Sequence, residues 1–402
     1  MKILQVISSF PPAYAYGGPT RVTYDISREL VKKGHEVTVY TTDVFNARSR
    51  FKYETNPMKI DGIEVYHFNN ISNRLAHKNL AMAPIMAFEL NRTIKNFDVI
   101  HLHEYRSFQA ILVHYYSKKY NIPYILQPHG TIPIISKTKQ KKSFDLLFGH
   151  SIVKDTSKII ATSRIESNQY CTVFPELDKE KVIHIPNGIS METYQNLPKK
   201  GQFKKKYSIK TDEKIILFMS RVHERKGADI LVEAFSKLKN DFEKVKLVIA
   251  GPDEGYLQKL KQIVNKLWIN DDVIFTGTLL EPDKFMAYVD ADVFVLPSKD
   301  KYESFGNVVL EACACGKPVV VTNNCGVSEW IGEDVGYTIE CDKDQLKDAI
   351  LKVLIDDRLM RKFGEEGRKL VENNFDLKII ITYYEKIYEG IKHPNERKET
   401  TQ

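Results

Sequence analysis

Glu303 and Glu311 bracket the segment with the most legible chemistry, Glu303-Ser304-Phe305-Gly306-Asn307-Val308-Val309-Leu310-Glu311. It follows an apolar run at 292–297 and a charged loop. Ser304 is expected to cap a helix over 304–315. The backbone N–H groups of Phe305, Gly306, Asn307 and Val308 would then lie at a helix N-terminus, which suits a phosphate. Glu303 in the loop can accept hydrogen bonds from sugar hydroxyls. Glu311, expected about two turns into the helix, can accept two from a vicinal diol such as a ribose. The loop Arg221-Val222-His223-Glu224-Arg225-Lys226-Gly227 sets the cations Arg221 and Lys226 five residues apart between a strand and a helix. There they can grip a diphosphate from two sides. His129 stands between Pro128 and Gly130 directly after a strand, where it can hold a sugar hydroxyl or polarise a reacting group. Gly17 and Gly18 sit between the first strand and the first helix and let backbone N–H groups approach a ligand closely.

Each segment also has a plain structural reading, as a βα turn, a turn histidine or a solvated basic loop, so the set carries the argument. Other patterns point away from chemistry. No G-x-G-x-x-G fingerprint and no G-x-x-x-x-G-K-[ST] loop occurs. Asp290 and Asp292 imitate a D-x-D metal site but precede the apolar strand at its N-terminal end, which favours a capping or turn role. His101 and His103 share one face of a strand with only Glu104 nearby, which favours a structural role. The five cysteines, at 171, 313, 315, 325 and 341, form no C-x-x-C pair and read as reduced thiols.

The elements that must position these residues alternate strand and helix along the chain. Strands are expected at 2–7, 36–41, 62–68, 98–102, 123–127, 158–162 and 181–185, then at 214–220, 245–250, 272–276, 292–297 and 317–322. Helices are expected at 21–33, 227–239, 254–267, 304–315 and 343–355. This alternation predicts α/β architecture: two doubly wound parallel sheets facing across a cleft, with ligands beyond the carboxyl ends of the strands. The chain has 402 residues, enough for two domains. Pro186–Ser208, with Asn187-Gly188, Pro198 and Gly201, reads as the linker. The domain break is therefore set there, with domains at 1–197 and 205–374.

Composition, 43% hydrophobic and 28% charged, excludes collagen-like, disulfide-scaffold and disordered classes. No run of 18 apolar residues predicts a membrane span, and Ile3–Ile7 is too short for a signal-peptide core. A cytoplasmic protein is expected. The net charge of +7 is uneven. Residues 1–200 hold 27 Lys and Arg against 17 Asp and Glu, and residues 201–402 hold 32 against 35.

Taken together, the segment Glu303 to Glu311, the Arg221…Lys226-Gly227 loop, Asn187-Gly188-Ile189 and Gly251-Pro252 resemble the retaining glycosyltransferases of the GT4 type, which have the GT-B fold of two Rossmann-like domains. The likeness runs from the Gly17-Gly18 loop to the last helix. It implies transfer of a hexosyl group from a nucleotide-diphosphate sugar, UDP- or GDP-linked, to a glycan or lipid-linked acceptor, in cell-surface glycan or glycoconjugate biosynthesis. It implies front-side transfer with retention and no metal or other cofactor. By the same resemblance Arg221 and Lys226 hold the diphosphate, with Gly17 and Gly18 closing on it. Glu303 binds the transferred sugar, Glu311 the ribose, and His129 lies near the reacting carbon. The Gly251 turn and the Gly277–Leu280 loop, including Leu280, approach the nucleobase. One position departs: Cys325-Gly326-Val327-Ser328-Glu329 keeps a single glycine where two are usual. The resemblance also implies that the helix 376–391 returns to the first domain, so that 375–402 belong with 1–197.

The basic first half suggests the acceptor side. Lys137, Lys139, Lys141 and Lys142 follow the His129 loop, and Ala81–Leu90 offers Met82, Ile85, Met86 and Phe88 as an apolar surface. Basic plus apolar suits an anionic membrane face or a polyprenyl-diphosphate-linked glycan. Nucleic acid is not expected, because the basic cluster lacks interleaved aromatics. A GT-B sugar-nucleotide epimerase and a catalytically silent sugar-nucleotide-binding subunit are the rival readings.

Overall fold

The computed structural model describes residues 1–46, 49–76, 80–134 and 138–392. It divides into two compact units, Met1–Asn187 with Leu377–Gln402, and Gly188–Asp376.

In the first unit the described strands are β1 (Lys2–Val6), β2 (Glu36–Thr42), β3 (Met58–Ile60), β4 (Ile63–Phe68), β5 (Val99–His103), β6 (Tyr124–Gln127), β7 (Lys158–Ala161) and β8 (Val182–His184). They form one sheet in the order β3-β4-β2-β1-β5-β6-β7-β8. β3 pairs antiparallel with β4, and the other neighbours run parallel. β1, β5 and β6 are buried along almost their whole length, as strands of a sheet covered on both faces are. The helix Leu377–Ile391 covers part of one face. Its Leu377, Ile380, Ile381, Tyr384 and Tyr388 recur at helical spacing and are buried with Ile3, Val99, Ile125 and Ile160.

The second unit is a six-stranded parallel sheet of β9 (Lys214–Met219), β10 (Val245–Ala250), β11 (Val273–Gly277), β12 (Val293–Leu296), β13 (Val319–Thr322) and β14 (Gly336–Ile339), in the order β11-β10-β9-β12-β13-β14. β9 pairs with β10 on one side and with β12 on the other. The strand order reverses there, so the loops after β9 and β12 mark the switch point at the carboxyl edge of the sheet. In the first unit the reversal lies at β1, flanked by β2 and β5.

Three sequence expectations change. The strands 58–60 and 336–339 were not anticipated: both are short edge strands, and their apolar patterns are too brief to register. The division falls at Asn187/Gly188 rather than at 197. Nor is Pro186–Ser208 a free linker. Met191, Tyr194 and Phe203 are buried in the core of the second unit, on a 3₁₀ turn (Met191–Tyr194) and a short helix (Gln202–Lys206).

Candidate active site

The parallel sheet of the second unit sends the loops after β9, β10, β11, β12 and β13 to one edge. The β9 loop begins with Arg221, whose guanidinium lies 2.8 and 3.0 Å from the two Glu254 oxygens. The loop is tied to the β10 loop by Val222 N–H to Pro252 O (2.8 Å) and Glu254 N–H to Val222 O (3.1 Å). It then turns through Glu224–Lys226 into Gly227, whose φ of +72° opens the helix Ala228–Leu238. A Cβ on Gly227 would lie 1.8 Å from the Pro297 carbonyl oxygen, so only glycine lets the β9 and β12 loops touch. That contact brings Lys226 to Glu303: the ammonium donates to the Glu303 carboxylate, and both side chains are largely buried. The two groups are 77 residues apart in sequence.

The Glu303 loop is held from the other side by the segment after β13. Gly326 N–H donates to Glu303 O (2.9 Å) and Val327 N–H to Phe305 O (2.8 Å). A Cβ on Gly326 would meet the Ser304 carbonyl oxygen at 1.9 Å. The single glycine kept in Cys325-Gly326-Val327 is thus the one at which two backbones meet.

The helix itself starts later than expected. Gly306, at φ +104°, precedes the helix Asn307–Ala314, so Ser304 is not its cap. Glu311 therefore lies about one turn into the helix rather than two. Its carboxylate accepts from Lys284 Nζ (2.6 Å) and from the Tyr288 hydroxyl (2.8 Å). Both come from the helix Asp283–Asp290, which the exposed Leu280 precedes. Lys284 N–H donates to Leu280 O at 2.9 Å. Gly251 joins the neighbouring ends: its N–H donates to Gly277 O (2.8 Å), and its Cα packs on the Ser220 carbonyl. Lys226, Glu303, Phe305, Gly306, Asn307, Val308 and Glu311 thus share one edge with Arg221, Gly251 and Leu280. Glu254, Lys284 and Tyr288 also belong to it, and sequence reading passed over them, because their spacing to the motif residues carries no local signal. Asp290 and Asp292 do cap backbone: Asp290 accepts from Gly201 N–H and Lys204 N–H, and Asp292 from Ile215 N–H.

In the first unit, Gly17 at φ +91° caps the helix Gly18–Lys32, with Pro19 in its first turn. His129 follows β6 at φ +51°, and Gly130 at φ +75°. Two successive left-handed residues make a sharp, strained turn. Buried Glu166 holds it, accepting from Gly130 N–H (2.6 Å), Thr162 N–H (2.7 Å) and the Thr162 hydroxyl (2.7 Å). His129 Nε2 lies 2.9 Å from His103 Nδ1, and His103 Nε2 lies 2.6 Å from Gln5 Oε1. His101 and His103 are fully buried. Burial pushes His101 and His129 down to about 3 and His103 well below the ordinary imidazole value, the neighbouring rings adding to the effect on His101 and His103. All three are neutral near pH 7. His101 and His103 are packed into the core, and His103 in addition touches a candidate site residue.

The basic segment divides. Lys137 lies outside the described residues. Lys139, Lys141 and Lys142 lie on the helix Thr138–Phe144; Lys139 and Lys142 are exposed, and Lys141 Nζ donates to Pro133 O at 3.3 Å. One π turn, Asp145–Gly149, continues it. Arg106 grips Asp145 at 2.9 and 2.7 Å, and the Tyr105 hydroxyl donates to it at 2.9 Å. With Asp145 fixed inward, Leu146, Leu147 and Phe148 are 78%, 68% and 39% exposed. An open cavity of about 610 Å³ lies beside them, lined by Pro133, Ile134, Lys142, Leu146 and Val173 among others. The apolar candidate Ala81–Leu90 is weaker than its sequence suggests: Met86 is in the core and Met82 half-buried, leaving Ile85 and Phe88 exposed.

Known proteins bear on this arrangement. Residues 16–193 match the family described as Glycosyltransferase Family 4, and residues 199–370 match Glycosyl transferases group 1. An uncharacterized glycosyltransferase of Methanocaldococcus jannaschii is 31% identical over 83% of this chain and 84% of its own. The N-acetyl-alpha-D-glucosaminyl L-malate synthase of Bacillus anthracis is 28% identical over 96% and 97%. Among solved structures, Anabaena HepE in complex with UDP and glucose superposes with a TM-score of 0.78 at 20% identity, covering 97% of this chain and all of that one. The two parallel α/β units are of the GT-B class that these structures share. With family matches on both units and a relative above 30% identity along most of its length, the chain belongs to the GT4-type glycosyltransferases.

Proposed function

We propose that the protein transfers a hexosyl group, with retention, from a UDP- or GDP-sugar to a glycan or lipid-linked acceptor, in glycoconjugate or cell-surface glycan biosynthesis. The contact of Lys226 with Glu303 at the sheet edge carries this reading. It puts a cation for the leaving diphosphate beside a carboxylate for the sugar hydroxyls, at the sheet edge that also holds Glu311 for the ribose. Arg221 and Lys226 offset the charge that develops on the diphosphate, together with the N-terminus of the helix Asn307–Ala314, so no metal is required. Gly17, Gly18 and His129 serve the same transfer from the first unit, His129 as a partner of a sugar hydroxyl. Gly251 and Leu280 attend the nucleobase. The UDP complex of the Anabaena relative supports a nucleotide-sugar donor.

The test begins with a thermal-shift screen of UDP-, GDP- and ADP-sugars. A ligand at about 100 times its Kd raises stability by about 2.7 kcal/mol. Hydrolysis or transfer of the selected donor, lost in Glu303→Ala, separates an enzyme from a silent binding subunit. A free epimerised sugar would instead indicate an epimerase. NMR of the product anomer decides retention, and an inverted product would overturn it.

On the acceptor side, Lys139, Lys141 and Lys142 next to exposed Leu146, Leu147 and Phe148 favour peripheral association with an anionic membrane face. Sedimentation with vesicles tests it: anionic vesicles should bind more than neutral ones, and equal or absent binding would count against it. No described helix is long and apolar enough to cross a membrane.

A further inference from the structure

We propose that Gln5 and His103 are positioning residues that fix the proton of His129 on Nε2, so that Nδ1 is the atom that accepts a hydrogen bond from a hydroxyl of the transferred sugar. This rests on the reading that His129 meets the sugar.

The argument is a count of protons along one buried chain. Gln5 Oε1 can only accept, so His103 must hold its proton on Nε2, 2.6 Å away. A neutral imidazole has one N–H, so His103 Nδ1 carries a lone pair. The proton in the 2.9 Å contact between His103 Nδ1 and His129 Nε2 then belongs to His129. The His129 ring, itself neutral, is left with a lone pair on Nδ1. Reversing the Gln5 amide would invert every proton in the chain. The oxygen is the end of the Gln5 amide that faces His103, at 2.6 Å, and a proton found on His129 Nδ1 would show the reverse.

The geometry of the chain is rigid. Gln5 and His103 are fully buried on adjacent parallel strands, and the His103 and His129 rings lie within 10° of parallel. Glu166 holds the strained His129–Gly130 turn from below. The charged or titratable groups around the relay include His101 on β5, Glu104 just after it, Glu166, and Tyr384 and Tyr388 from the returning helix. Glu104 is occupied by the Ser8 hydroxyl (2.5 Å), Tyr388 by His101 Nδ1 (2.8 Å), and Tyr384 donates to Gln127 Oε1 (3.1 Å).

Nitrogen-15 NMR of the full chain with labelled histidine, assigned with His103→Gln and His129→Asn, reads the tautomers directly between pH 6 and 8. The expected result is a neutral His129 protonated on Nε2 throughout. A proton on Nδ1, or titration of His129 within that range, would overturn the proposal. Gln5→Glu supplies a second readout. The carboxylate raises the proton affinity of His103, and a doubly protonated His103 donates from both nitrogens. His129 Nε2 must then accept, and its proton moves to Nδ1. Turnover of UDP-glucose, or of GDP-mannose if UDP-glucose is not turned over, should therefore acquire an acid limb falling about tenfold per pH unit, where the parent protein is flat. A lower Tm with an unchanged profile would show Gln5 to be structural only. Full turnover by His129→Ala would instead remove the sugar-facing role of His129, a failure that the tautomer spectra distinguish from failure of the relay.

Discussion

The two units carry their candidate residues by opposite electrostatic means. At the sheet edge of the second unit, opposite charges meet in pairs: Lys226 with Glu303, Arg221 with Glu254, Lys284 with Glu311. Around His129 in the first unit, the histidines are neutral and held by buried amide and hydroxyl partners. Ten of the eleven histidines lie in the first unit and one, His223, in the second. A charge paired across a loop edge can exchange its partner for a phosphate or a hydroxyl, because either keeps it solvated. A neutral ring inside a closed hydrogen-bond chain cannot exchange partners and can only orient. The second unit is thus suited to binding a charged leaving group, and the first to aiming a polar atom.

The strongest way to break this comparison is to remove one cation of the second unit. Lys226→Ala should lower donor turnover by about 10²–10³-fold, the usual effect of deleting a group that stabilises developing negative charge. Full activity would remove Lys226 from the site, and Tm measured alongside separates a folding defect. Next in size, Gly326→Ala forces a methyl group to within 1.9 Å of the Ser304 carbonyl oxygen. Overpacking of this kind costs about 1–3 kcal/mol. Thermal unfolding should show it, with weakened donor binding, because Glu303 rides on the displaced backbone.

Acid sharpens the contrast. The folded values of His101 and His129 are pushed down to about 3, and that of His103 lies well below the ordinary value, whereas the unfolded rings take up protons near 6.5. Between these values the unfolded chain binds more protons, so stability is present above pH 6.5 and is lost as pH falls toward 3. Each histidine withdraws up to about 1.4 kcal/mol per pH unit. Hydrogen exchange at pH 7.5 and 5 should show the first unit losing protection before the second. Both tryptophans, Trp268 and Trp330, lie in the second unit, so their fluorescence should change last. Simultaneous loss would contradict the comparison. The smallest effect belongs to the surface: Lys139→Glu with Lys142→Glu should leave Tm within about 0.5 kcal/mol-equivalent of the parent. The same change should weaken binding to anionic vesicles by about 1 kcal/mol or more per lysine.

Much of this was legible in residue order. Apolar runs marked the central strands, and the helix expected at 343–355 is the helix Lys343–Ile355. The strand-following loops contain the residues that now share an edge. Gly306 shows where local reading stopped: Ser304 has the right chemistry for a cap, but its carbonyl is packed against Gly326, and the chain turns two residues later. The exposure of Leu146, Leu147 and Phe148 carries no local signal, because it goes with Asp145 being held inward by Arg106. Met86 read as surface until its burial was seen.

The sequence by itself determined the α/β alternation, the parallel sheets and the chemical types in each strand-following loop, because periodicity and turn chemistry act within a few residues. Only the tertiary structure decided which side chains meet. Lys226 reaches Glu303 across 77 residues and His103 reaches Gln5 across 98, and in each case the partner is set by strand order and register. Those depend on how whole faces pack, which no local window of residues contains.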